Sequence, residues 1–173
     1  GQIIDRGVEY AAEAGEVEFT LKQAMRTSSY WMLIVAQSAY GLASAAFTLH
    51  AIPFLTDRGI DPLVAAGMLS LMVLSGIPAR TGGGWLADRV SKGYMRFIMG
   101  GAYLLQAVGT ASFLLHPTLV MIYVWFILYG LGSGAGIGIT TPMKGRYFGR
   151  KAFGSIDGLS TMLTGPAAMV API

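Results

Sequence analysis

Arg80 stands inside a stretch that otherwise suits lipid. Leu63 to Ile77 is apolar or small and carries no charge; Pro78, Ala79 and Arg80 follow, then a glycine run and Trp85. An arginine in a membrane-spanning helix costs about 2.5–3.5 kcal/mol on insertion scales, so it is usually turned toward protein, a wet cavity or a ligand. The guanidinium is a planar fork of fixed charge that matches a carboxylate in two parallel hydrogen bonds. Helical neighbours Val73, Gly76 and Gly84 are mostly small, which suggests room beside it. Two other arrangements also satisfy such a cation. It can snorkel to a nearby aqueous boundary, or pair with a carboxylate elsewhere in the fold.

Other polar side chains form stripes. Gln37, Tyr40, Ser44 and Thr48 fall within about 80° of arc at 100° per residue. Such a stripe either lines a wet passage or hydrogen-bonds a neighbouring helix. Phe47 and Ala51 border it and suit the apolar part of a small acid. His50 lies off the stripe; it is a candidate proton carrier or a partner for backbone groups freed by Pro53. Further on, Asp157, Ser160, Thr161 and Thr164 share one face. Asp157 is a candidate gate or proton site, pairing with Arg150 or Lys151, or a carboxylate favoured by a helix start.

These residues sit in a chain that is 54% hydrophobic and 12% charged, where soluble domains carry about 25% charged residues. The charges gather in short islands between apolar runs of about 20 residues, enough to cross a ~30 Å hydrocarbon layer. The expected class is an all-α integral membrane protein, with spans near 31–55, 63–86, 94–115, 119–139 and 153–173. Residues 1–29 read as a polar, Glu-rich cytoplasmic segment with a short interfacial helix capped by Thr20. Asp61 and Pro62 supply an N-cap and a first helical residue for the second span. Pro53 is expected to end or kink the first span, Thr140-Thr141-Pro142 to end the fourth ahead of a basic loop from Lys144 to Lys151, and Gly165-Pro166 to interrupt the last.

There is no cysteine, which excludes disulfides and thiolate metal sites. The net charge of +3 could point to nucleic acid, but its distribution gives a simpler account. Arg6, Lys22 and Arg26 precede the first span. Arg89, Lys92 and Arg96 follow the second, and Lys144, Arg146, Arg150 and Lys151 follow the fourth. The alternate loops hold only Arg58. Basic residues mark the cytoplasmic side, so the N-terminal segment and loops 87–93 and 142–152 are expected inside, and no nucleic-acid partner is expected. Gly130-Leu131-Gly132-Ser133-Gly134-Ala135 satisfies a loose dinucleotide pattern, yet it lies in a membrane-length stretch rather than after a strand. Close helix packing is the expectation, and neither cofactor nor metal is expected.

The run Gly84-Trp85-Leu86-Ala87-Asp88-Arg89-Val90-Ser91-Lys92-Gly93 resembles the loop between helices 2 and 3, and more weakly 8 and 9, of the major facilitator superfamily. Gly84, Leu86, Asp88 and Arg89 match; Ser91 replaces glycine and Lys92 replaces arginine. Phe19 to Leu33 resembles the entry to helix 7. Tyr147 to Ile156 resembles the loop before helix 11, in the form seen in monocarboxylate transporters and oxalate/formate antiporters. The resemblance implies helices 7–11 of a twelve-helix fold. Gly1 is not Met, and Ile173 lies inside an apolar run, so a longer parent with an N-terminal six-helix half is expected.

The same resemblance implies a substrate-binding arginine at Arg80, with Gln37, Tyr40, Ser44, Thr48 and Thr164 around the passage. It also implies a conformational latch at Gly84, Asp88, Arg89 and Lys92. Two departures matter. Gly76 stands where monocarboxylate transporters have an aspartate, and Thr164 lies where the oxalate type has a lysine. A secondary transporter of small organic anions in a cell membrane is therefore expected, monocarboxylates before dicarboxylates. Competing readings are a proton-coupled carrier or exporter of another solute, and a non-transporting receptor or scaffold. An enzyme is not expected, since the spans carry no nucleophile–base pair or paired carboxylates.

Overall fold

The computed structural model describes residues 18–115 and 118–170. The Glu-rich stretch before residue 18, the last three residues, and His116-Pro117, where the sequence predicts the stop of the third span, lie outside the described residues. Among the described residues six α-helices follow in order: α1 Leu21–Ala24, α2 Ser28–Thr56, α3 Pro62–Arg89, α4 Met95–Leu115, α5 Leu119–Phe148 and α6 Phe153–Val170. A 3-10 turn, Lys92–Tyr94, leads into α4. Among the described residues there is no strand. This is the all-α membrane architecture expected from composition: in lipid, a helix satisfies its own backbone, so glycine- and proline-rich apolar stretches still coil.

Among the described residues four helical stretches are long and apolar enough to cross a membrane: Ser28–Thr56, Pro62–Arg89, Lys92–Leu115 and Leu119–Phe148. The fifth expected span does form a helix, α6, but Ser155, Asp157, Ser160, Thr161 and Thr164 dilute its apolar content and it is not among the four.

The helix starts follow the sequence closely. Thr20 caps α1 in a reciprocal capping box with Gln23. The Asp61 carboxylate accepts from the Leu63 amide at 2.8 Å, with Pro62 in the first turn. The helix ends do not follow the prolines. Pro53, Pro78, Pro142 and Pro166 all lie inside helices. A proline removes one backbone donor, and the membrane setting tolerates this where a neighbouring group takes up the freed carbonyl. α5 therefore runs on to Phe148, and Lys144 and Arg146 are helical rather than part of a loop. Its stop is Gly149, whose φ of +80° is a left-handed conformation that side chains disfavour, and whose amide donates to the Gly145 carbonyl. Likewise Asp88 and Arg89 form the last turn of α3, not a loop.

The chain divides into two compact units, residues 1–58 with 144–173, and residues 59–143. In the first, α2 packs along α6. At the start of α2, the fully buried Tyr30 meets Phe148 edge-on at 5.9 Å, and Phe148 meets Phe19 edge-on at 6.1 Å. The Phe19 amide donates to the Phe148 carbonyl at 3.0 Å, and the Trp31 indole donates to the Met25 carbonyl at 2.8 Å. These contacts fix the segment before α2 against the end of α5.

In the second unit, the glycines of α5 sort by face. A Cβ on Gly130, Gly134 or Gly138 would strike α3, at Met72–Ser75, Gly76 and Arg80 respectively. A Cβ on Gly132 would strike Ala102 and Gln106 of α4, and one on Gly136 would lie 3.5 Å from Tyr103. Each set is spaced i, i+4, so one helix offers a bare backbone ridge to two neighbours at once. The expected small-residue packing is present. Beyond the glycines, Trp125 stacks on Phe113 with centroids 4.3 Å apart, and its indole N–H donates to the Thr110 hydroxyl at 3.2 Å.

Candidate functional site

In the unit of residues 59–143, Arg80 lies nine residues before the end of α3, or about 14 Å along the axis at 1.5 Å per residue. It is exposed and, among the described residues, its side chain makes no ion pair or hydrogen bond. Helical side chains lean toward their own N-terminus, which carries the guanidinium further from the charged end at Asp88–Arg89. The backbone of Arg80 is in a different situation: its carbonyl faces Gly138 of α5. The nearby glycines also differ from expectation. Gly76 and Gly84 do not simply leave room beside Arg80. Their faces meet α5, with Gly76 against Gly130 and Gly134, and Gly84 3.6 Å from the Gly138 carbonyl oxygen as measured from an added Cβ.

The residues read as a latch continue from there. The Arg89 guanidinium lies over the Trp85 ring at 3.8 Å, a cation–π contact at the helix end. Asp88 is exposed in the same turn, and Lys92 opens the 3-10 turn. The Val90 amide closes α3 by donating to Leu86 at 3.1 Å.

The unit of residues 1–58 and 144–173 holds the remaining candidates. Gln37, Tyr40 and Ser44 are half-buried along α2, while Thr48 and His50 are exposed. The Gln37 amide nitrogen is fully buried and has no partner among the described residues. A buried amide donor without an acceptor is costly, so within the polar stripe of α2 this group stands to gain from a ligand; the Tyr30 hydroxyl, near the start of the same helix, is likewise buried without a partner among the described residues. Thr48 is in a weaker position, because its hydroxyl already donates to the Ser44 carbonyl at 2.8 Å. On α6 the hydroxyls follow the same local habit. Ser160 donates to Ile156 at 2.7 Å, Thr161 to Asp157 at 3.0 Å and Thr164 to Thr161 at 3.4 Å. Such back-bonding satisfies a hydroxyl inside its own helix.

Asp157 pairs with neither Arg150 nor Lys151. Its carboxylate accepts from the Lys144 ammonium at 2.7 Å, and the Lys144 side chain is only 4% exposed against 44% for Asp157. Lys151 instead lies 3.9 Å from Glu18, with its own side chain 65% exposed. The Lys144 contact joins the end of α5 to the first turns of α6. The sequence alone does not show it, because Pro142 reads as a stop and Lys144 as a loop cation. The available signal is Gly149 itself, since glycine is the usual residue at the left-handed position just past a helix C-terminus.

The model of the Major Facilitator Superfamily matches residues 5–172, almost the whole chain. The chain belongs to the major facilitator superfamily. This is a family of transporters rather than enzymes. Among curated relatives, the chain is similar to "Monocarboxylate transporter 13" of Rattus norvegicus, 34% identical over 87 residues. That match covers 50% of this chain and 20% of the rat protein, so the chain spans well under two thirds of its relative.

Proposed function

We propose that the full-length protein is a secondary transporter of small organic anions, monocarboxylates first among them, working by alternating access. The observation that carries this is Arg80: a fixed cation far from the end of a membrane-length helix, exposed, with no ion-pair partner among the described residues. A carboxylate is the ligand whose charge and fork geometry it matches. The partial similarity to a protein named as a monocarboxylate transporter supports the same substrate class. Gln37 supplies a buried donor, Tyr40 and Ser44 extend the polar stripe, and Thr48 and Thr164 border it as acceptors. Substrate binds between this set of helices and an N-terminal six-helix half, and the two halves rock around it.

In this reading Gly84, Asp88, Arg89 and Lys92 latch the cytoplasmic ends in one conformation, and Asp157 with Lys144 tethers α5 to α6 beside the cytoplasmic gate. His50 is the candidate proton site. The protein lies in the cell's inner membrane with its N-terminal segment and the turns after α3 and α5 inside. Vesicles carrying the full-length protein test the substrate claim. Arg80→Ala should lower the efficiency of saturable uptake of lactate-, pyruvate- and formate-like acids by about 100-fold, and Arg80→Lys should keep charge but raise the KM. Unchanged uptake in both removes Arg80 from the binding site.

A further inference from the structure

We propose that Gly138 is the positioning residue for Arg80. This rests on the reading of Arg80 as the anion-binding cation. The geometry of the α3–α5 contact carries it. A Cβ on Gly138 would overlap the Arg80 carbonyl oxygen and come within 3.1 Å of both the Arg80 carbonyl carbon and the Gly84 amide nitrogen. In an α-helix those two groups share one hydrogen bond, Gly84 N–H to Arg80 carbonyl. The bare backbone of α5 is thus seated on the peptide link that sets the direction of Arg80. All three atoms are backbone, so no side chain can swing aside to make room.

The contact is reinforced on either side. A Cβ on Gly134 would come 2.8 Å from the Gly76 Cα and carbonyl carbon, and one on Gly83 would come 2.8 Å from the Ala135 carbonyl oxygen. α3 is therefore fixed against α5 at residues 76, 80 and 83, bracketing the arginine. With so close an approach, the depth and azimuth of the guanidinium follow from the backbone of α5 rather than from side-chain packing around it. A methyl at 138 must push α3 outward or bend it at Arg80. A shift of about 1 Å in a group that positions substrate costs on the order of 100-fold in rate.

The same substitution elsewhere gives the control. Gly82 is two residues from Arg80 on α3, and a Cβ there meets nothing within 4 Å. In the full-length protein in vesicles, Gly138→Ala should raise the KM for a lactate-like acid at least about tenfold, whereas Gly82→Ala leaves it unchanged. In an Arg80→Ala background, Gly138→Ala should add no further loss. A wild-type KM for Gly138→Ala, or an equal loss with and without Arg80, overturns the positioning role. If Gly138→Ala fails to reach the membrane, Gly83→Ala presses the same helices apart from the α3 side and must raise the KM likewise; an unchanged value there overturns the proposal too. The two levels separate cleanly. Wild-type uptake by Arg80→Ala alone defeats the substrate reading and this proposal together. Loss in Arg80→Ala with a normal KM in Gly138→Ala defeats only the positioning role.

Discussion

Lys144 and Arg80 are both cations on helices long enough to cross a membrane, yet they meet opposite surroundings. The Lys144 ammonium is almost wholly buried and sits 2.7 Å from a carboxylate. Arg80 is exposed, and its guanidinium has no such partner among the described residues. A buried charge that is already compensated is expensive to disturb and has nothing left to offer a ligand. A cation held without a counter-charge retains its full attraction for an incoming anion. The chemistry of the two side chains does not explain the contrast; the neighbouring backbone does. Lys144 lies one turn before a helix end that turns back toward α6, whereas Arg80 lies on a glycine seam that contributes no side-chain partner at all.

Breaking the contrast on the Arg80 side should give the largest effect. Truncating one partner of a charge-assisted contact costs about 2–5 kcal/mol, so Arg80→Ala should lower carboxylate uptake efficiency by about 100-fold or more in vesicle assays. On the Lys144 side the effect should appear in stability, and it should be asymmetric. Asp157→Asn leaves a buried ammonium without its counter-ion and should cost about 3 kcal/mol. Lys144→Met removes the buried charge and leaves a carboxylate that is 44% exposed on its side chain, so it should cost less. Thermal unfolding of the detergent-solubilised protein checks this; equal losses in both variants would mean the pair is not buried as described.

Two smaller effects sharpen the comparison. Residues 1–173 contain no cysteine, so in a parent cleared of cysteines elsewhere a single cysteine placed here reports orientation without background. A cysteine replacing Lys92 or Lys151 should react with an impermeant thiol reagent only from the cytoplasmic side, and one replacing Arg58 only from outside. The reverse pattern would invert the topology read from charge. Thr48→Val should change uptake less than about threefold, since its hydroxyl is already bonded within α2. Measured KM values decide this, and a tenfold rise would make Thr48 a direct substrate contact.

Much of the fold was legible in the sequence because lipid leaves few options. Membrane-length apolar runs, Asp61-Pro62 and the Thr20 cap placed most helix starts. Helix ends were harder, since proline is a weak stop where a span is otherwise continuous. The overreading of Pro142 hid Lys144. The alternating glycines announced close packing, but a sequence does not say which glycine faces which neighbour. That required the backbone of α5 to show Gly138 at Arg80 and Gly132 at Gln106. The Gln37 donor had the same limit: its position on a polar stripe was clear, while its burial without an acceptor depends on packing in three dimensions.

The contrast between the two cations is tested most directly by equilibrium binding to the purified full-length protein, with a lactate-like acid compared against its uncharged amide. Wild-type protein should bind the acid at least about tenfold more tightly than the amide. Arg80→Gln, which keeps hydrogen-bonding capacity but removes the charge, should bind the two alike, and Lys144→Gln should keep the wild-type preference. An undiminished preference for the acid in Arg80→Gln would contradict the account.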